Sequence, residues 1–141
     1  MKSHALVIVV LAILVGGCTT PMKDRLLDSG DQSQLQKRSY QTRVFDTADK
    51  EKVMRGVIST LQDLAFVIER ADMMLGTVSG TKYEKELTIR MTVSVRPKGT
   101  TQMAVRANGQ LNVAPIEDPK PYQDFFSSLE KSLFLTAQLG E

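Results

Sequence analysis

From Leu87 onward, every second residue is apolar: Leu87, Ile89, Met91, Val93 and Val95 alternate with Thr88, Arg90, Thr92, Ser94 and Arg96. After Pro97-Lys98-Gly99-Thr100 the alternation resumes. Met103, Val105, Ala107, Leu111 and Val113 are interleaved with Gln102, Ala104, Arg106, Asn108, Gln110 and Asn112. A period of two in adjoining runs joined by a Pro/Gly turn predicts an antiparallel hairpin with one dry face and one wet face. Gly109 falls on the dry side, which implies a bend or the close approach of a helix.

A different period precedes the hairpin. Val53, Val57, Leu61 and Leu64 recur at helical spacing, flanked by Met54, Ile58 and Ala65, while Lys50, Lys52, Arg55, Gln62 and Asp63 lie mostly on other faces. This predicts an amphipathic helix laid on a sheet, opened by Asp46 or Thr47 as its cap. Ser39 to Phe45 reads as a first strand, with Tyr40 and Val44 pointing one way and Phe45 the other. Phe66 to Arg70 and Thr77 to Lys82 read as two further strands about an Ala71–Gly76 turn, and Glu84-Lys85-Glu86 as a solvated connection. Ala114 to Pro121 is a proline-rich link, from which Asp118-Pro119 or Lys120-Pro121 opens a last helix. Tyr122, Phe125, Phe126, Leu129 and Leu133 form its aromatic stripe. The expected order is β-α-β-β-β-β-α. It implies an α+β two-layer sandwich, an antiparallel sheet with both amphipathic helices on one face.

Ahead of this domain the pattern is neither alternating nor helical. Lys2 precedes an unbroken apolar run from Ala5 to Val15, then Gly16, Gly17 and Cys18, the single cysteine of the chain. The run is shorter than the roughly 20 residues needed to cross a bilayer, and small residues at a cut suit a secretory signal. Leu14-Val15-Gly16-Gly17-Cys18 resembles the lipobox of Gram-negative envelope lipoprotein precursors. The resemblance implies cleavage between Gly17 and Cys18 and acylation of Cys18. Several acyl chains on one residue make a stable anchor where one does not. Thr19 and Thr20 follow the cysteine in place of an inner-membrane-retaining Asp, which in such lipoproteins implies the outer membrane, facing the periplasm. The expected organisation is a signal peptide over 1–17, a lipidated N-terminus and flexible tether over 18–38, and one periplasmic α+β domain over 39–141.

Leu61-Gln62-Asp63-Leu64-Ala65-Phe66-Val67-Ile68-Glu69, continuing through Asp72 to Gly76, resembles a pattern of envelope lipoproteins. That pattern runs helix, Leu-x-x-x-Gly-Phe-x-Val, acidic turn, Gly-led strand, with Ala65 here in place of Gly. The helix-grip domains of the BamC lipoproteins of the outer-membrane barrel-assembly machine are similar in this respect, over about residues 53 to 82.

Composition narrows the chemistry. With 18 Lys and Arg against 16 Asp and Glu, the chain has no strong basic excess for nucleic acid. The one histidine, His4, lies in the signal, and there is no tryptophan. Downstream of Cys18 the chain has no residues for a Ser-His-Asp or Cys-His nucleophile, nor the usual nitrogen and sulfur ligands of zinc. Ser128-Leu129-Glu130-Lys131 fits Ser-x-x-Lys without its companion motifs. Gly76 to Lys82 is one residue short of a phosphate loop and ends Thr-Lys. Glu117-Asp118 reads as a helix start, and the carboxylate pairs Asp46/Asp49 and Glu84/Glu86 as cap and turn residues. No cofactor is expected.

Binding is the better-supported class. Arg90, Arg96 and Arg106 share the wet face of the hairpin with Thr92, Ser94, Asn108 and Gln110, and arginine is enriched at interfaces. Met73 and Met74 add an adaptable apolar contact in a turn. The expected function is a non-catalytic outer-membrane lipoprotein, held to the membrane by lipid on Cys18. It would act as an accessory or scaffold subunit of an envelope assembly, secretion or transport system, with an envelope protein as partner. The competing readings are a periplasmic small-ligand or lipid carrier and an enzyme using carboxylates alone.

Overall fold

The computed structural model describes residues 34–139, which belong to one compact unit, Gln34–Glu141. The signal over 1–17, with the cleavage site at Gly17 and Cys18, lies outside the described residues, as does the tether up to Ser33. A helix α1 over 34–41 leads into strand β1 (Thr42–Phe45), helix α2 (Lys50–Asp63), and strands β2 (Val67–Asp72), β3 (Thr77–Glu84), β4 (Leu87–Lys98) and β5 (Gln102–Leu111). A two-residue strand β6 (Ala114–Pro115) and helix α3 (Lys120–Leu139) follow. The architecture is the α+β sandwich expected, an open antiparallel sheet with both long helices contributing to one core.

The order across the sheet is β1-β5-β4-β3-β2, and β6 pairs with β5 beyond the end of β1. In the central hairpin Met91 faces Gly109, Val93 faces Ala107 and Val95 faces Val105. These odd-numbered residues are buried, while their even-numbered neighbours on β4 and β5 are exposed or partly so. Onto that dry face α2 lays Val53, Met54, Val57 and Leu61, and α3 lays Tyr122, Phe125, Phe126 and Leu129, all at 0% exposure. Burying one such side chain contributes about 1.5–3 kcal/mol, so these two stripes supply much of what offsets the ordering of the chain. Gly56 lets α2 and α3 close together, since any side chain there would press on Leu129 and Leu133.

Local chemistry sets the ends. Asp49, rather than Asp46 or Thr47, caps α2 by accepting the Lys52 N–H at 2.9 Å. A short turn, Thr47 N–H to Phe45 carbonyl, places it there, and Asp46 instead accepts Gln102 Nε2 at 2.5 Å. At the far end of α2, Phe66 N–H returns to the Leu61 carbonyl and Ala65 N–H to that of Gln62, the two bonds of a Schellman stop. Ala65 takes a positive φ of 66° to do so. In the β2–β3 turn, Gly76 has φ 61° and gives its carbonyl to Val95 N–H at 2.8 Å.

Two expectations change. Residues 34–38, read as tether, and 39–41, read as strand, are helical, so the folded unit begins before Ser39. What orders them is distant in sequence. Lys37 pairs with Glu117 at 2.5 Å, and the Tyr40 ring lies 5.3 Å from that of Tyr122. On β1 the expected opposition of Val44 and Phe45 holds: Phe45 and Arg43 share the helix side, with Arg43 over the Phe126 ring and bound to Glu130 at 2.8 Å. Lastly, the alternation stops at Leu111. Asn112, at φ 54°, turns the chain into β6 and leaves Val113 93% exposed instead of on the dry face.

Gly109 behaves as its lack of a side chain implies. Its N–H donates to the Tyr122 hydroxyl at 3.1 Å, and that hydroxyl donates to the Ile116 carbonyl at 2.8 Å. One buried phenol thus ties β5, the β6–α3 link and α3 together.

Candidate docking surface

Because both long helices occupy one side of the sheet, the even-numbered residues of β4 and β5 have no layer over them among the described residues. Across this open face Thr77, Ser94, Arg106 and Thr42 lie in one cross-strand row. Ser79, Thr92 and Asn108 form the next, and Thr81, Arg90 and Gln110 the one after. The face is a ladder of hydroxyls and amides carrying cations. Such a surface binds by hydrogen bonds and charge, not by apolar insertion.

The three arginines singled out in the sequence are here, but not in one environment. Arg90 Nε is 3.8 Å from Glu69, which also accepts the Thr81 hydroxyl at 2.7 Å. Glu69 reaches them because β2 slips register between Ile68 and Arg70. Arg70 is 4.0 Å from Asp72 on the same strand. At the opposite corner Arg96 faces Ala104, Arg106 faces Ser94 and Lys98 faces Gln102. Arg96 and Arg106 are therefore diagonal neighbours, about 7–8 Å apart at the backbone. Lys98 stands about 7 Å further along its strand. The sequence pattern assigns Lys98 to the Pro97–Thr100 turn, whereas β4 runs on through it and the alternation that places Arg96 continues one step to Lys98.

Met73 and Met74 lie apart from the arginine face, in the turn at one end of the sheet. Met74 is 91% exposed. Its carbonyl accepts Lys50 Nζ at 3.0 Å, and Asp72 accepts the Leu75 N–H at 2.8 Å, so the turn is held in place while its apolar tips project.

Concavities on the helix side include a hollow of about 220 Å³ beside Phe45, Lys52 and Leu133, and two others that bear on ligand binding. One, about 490 Å³, is an open, charged trough above the α2–α3 seam, lined by Asp49, Glu51, Lys52, Arg55 and Ser59 among others. The other, about 210 Å³, is a mainly apolar hollow between Leu64, Phe66, Ile89, Met91, Ile116 and Pro121, with Lys82 and Asp124 also in its lining. Small-ligand sites ordinarily run to about 300–1,000 Å³. This hollow is room for one ring rather than a lipid, and the pattern of residues gave no sign of it.

All of the acids weighed as chemistry except Glu86 are engaged in structure. Asp49 caps α2, Glu84 pairs with Lys82 at 2.6 Å, and Asp118 accepts the Lys120 N–H at 2.9 Å at the start of α3. Glu117 lies below the ordinary carboxylate range and Lys37 above the ordinary ammonium range, each chiefly through the hydrogen bond they share. Tyr40 is pushed up first by desolvation and then by Tyr122 beside it. Lys120 is raised by its hydrogen bond to Asp124. Among the described residues no three His, Cys, Asp or Glu side chains are grouped to hold a metal ion. Gly76 to Lys82 lies in the β2–β3 turn and β3, and Ser128 and Lys131 lie on α3. No helix of the described residues is long and apolar enough to cross a membrane.

No family model and no curated protein matches the chain.

Proposed function

We propose that this chain is a lipid-anchored outer-membrane lipoprotein that works without catalysis. It would be an accessory or scaffold subunit of an envelope assembly, secretion or transport system, meeting its partner through the open face of the sheet. The observation that supports this reading is the placement of Arg96 and Arg106. They stand unsheltered on a hydroxyl-rich face, while Asp49, Glu84, Glu117 and Asp118 serve as caps and ion-pair partners elsewhere. The anchor rests on the lipobox-like Leu14 to Cys18. An apolar hollow of about 210 Å³ lends the small-ligand alternative less support.

Two measurements test the reading. Labelled palmitate should enter the wild-type chain and not Cys18→Ser, and only the wild type should stay with the outer-membrane fraction after a carbonate wash. Crosslinking of the lipidated protein in cells should yield a defined protein adduct. Equal membrane retention of Cys18→Ser removes the anchor, and adducts only with abundant porin-like proteins remove the scaffold role.

A further inference from the structure

We propose that the corner formed by Arg96, Lys98 and Arg106 is the docking point for an acidic, carboxylate-bearing segment of the partner protein. This rests on the reading of the open face as an interface and names the chemistry of what covers it.

The argument is one of charge balance on a single face. Of the five cations there, two have an acid within reach: Arg90 has Glu69 and Arg70 has Asp72. The other three have no ion pair or hydrogen bond among the described residues, although the register sets them on neighbouring rungs. Like charges at such spacing repel and weaken a sheet slightly. Here that repulsion is relieved at the β2 end, whereas at the β1–β5–β4 corner the neighbouring carboxylate, Asp46, is engaged by Gln102 opposite Lys98 and makes no ion pair with the three cations. The residues between the cations are small or short, Ala104 opposite Arg96 and Ser94 opposite Arg106, so nothing obstructs an approaching chain. Two guanidinium groups in this array suit carboxylates, which they bind bidentately. The adjoining Thr92, Ser79 and Asn108 row supplies hydrogen bonds for its backbone. A phospholipid surface fits less well, because the large exposed apolar side chains of the face, Val44, Val67 and Tyr83, sit on three different strands, β1, β2 and β3, and form no common patch.

The test uses the full-length, lipidated chain in cells, with a photo-crosslinking amino acid in place of exposed Thr92. The expected adduct is an envelope protein whose crosslinked peptide is rich in Asp and Glu. In Arg96→Gln/Arg106→Gln the adduct should fall about tenfold for each charge removed. Arg96→Lys/Arg106→Lys should retain part of it, and Arg70→Gln all of it. The neutralised variant should melt no lower than wild type, which separates lost docking from lost folding. A protein adduct undiminished in Arg96→Gln/Arg106→Gln, or a captured peptide without acids, overturns this proposal and leaves the interface reading standing. A phospholipid adduct overturns it in favour of the membrane. The absence of any protein adduct from Thr92 overturns the interface reading itself.

Discussion

Replacing Ala65 by glycine should make the protein more stable, although it deletes a methyl group and adds freedom to the unfolded chain. Ala65 ends α2 with φ 66°, in a region where an L-residue with a Cβ is strained by about 1–2 kcal/mol. Glycine carries no such strain, but its unfolded state has more conformations to lose, which costs about 0.4–1 kcal/mol. The methyl group is exposed, so little packing is forfeited. The difference favours Ala65→Gly by about 0.5–1 kcal/mol, or about 3–6 °C in midpoint for a domain of this size. The chain has no tryptophan, so urea unfolding is best followed by far-UV circular dichroism. The midpoint should rise with an unchanged slope. Ala65→Val, bulkier and β-branched at a positive φ, should move it down. If glycine lowers the midpoint while valine leaves it unmoved, the strain argument is wrong.

Gly76→Ala should do the opposite of Ala65→Gly. A Cβ there would meet the Val95 carbonyl oxygen and the Lys50 side chain at φ 61°, so a loss of about 2–3 kcal/mol is expected in the same urea assay. Thr60→Val should raise stability by about 1 kcal/mol, because the Thr60 hydroxyl is buried at 1% exposure with no hydrogen-bond partner among the described residues. The Lys37–Glu117 pair gives α1 a pH dependence. Since Glu117 titrates lower when folded, its contribution is present above the ordinary carboxylate value and is lost as pH falls through its lowered one. Amide protection over 34–41, relative to the unstructured rate at each pH, should fall on acidification before that of β3–β5 does, and Lys37→Met should produce the same loss of protection at neutral pH.

The hairpin and α2 were legible because their signals are local and periodic. Met91 to Val95 and Val53 to Leu61 each declare a buried face within one element. The aromatic stripe of α3 declared itself in the same way, from Tyr122 to Leu129. What stayed hidden depends on partners far along the chain. Residues 34–41 are polar and short, and only Glu117 and Tyr122, some eighty residues away, make a helix of them. The resemblance placed a glycine where Ala65 stands, and the positive φ supplies the physical reason for one. Of the candidate surface, the facing of Arg90, Arg96 and Arg106 could be read from alternation. Which of them keeps an acid could not, because that turns on a one-residue slip in β2 that brings Glu69 under Arg90.

The route by which the chain enters the fold has a mechanical corollary. Tension arriving from before Gln34 reaches the sheet through α1 and then β1, an edge strand of four residues joined to β5 alone. Arg43 rivets that strand to α3 through Glu130 and the Phe126 ring. A pull on that end would unseat α1 and then peel β1, leaving the β3–β4–β5 centre and its uncovered face unloaded.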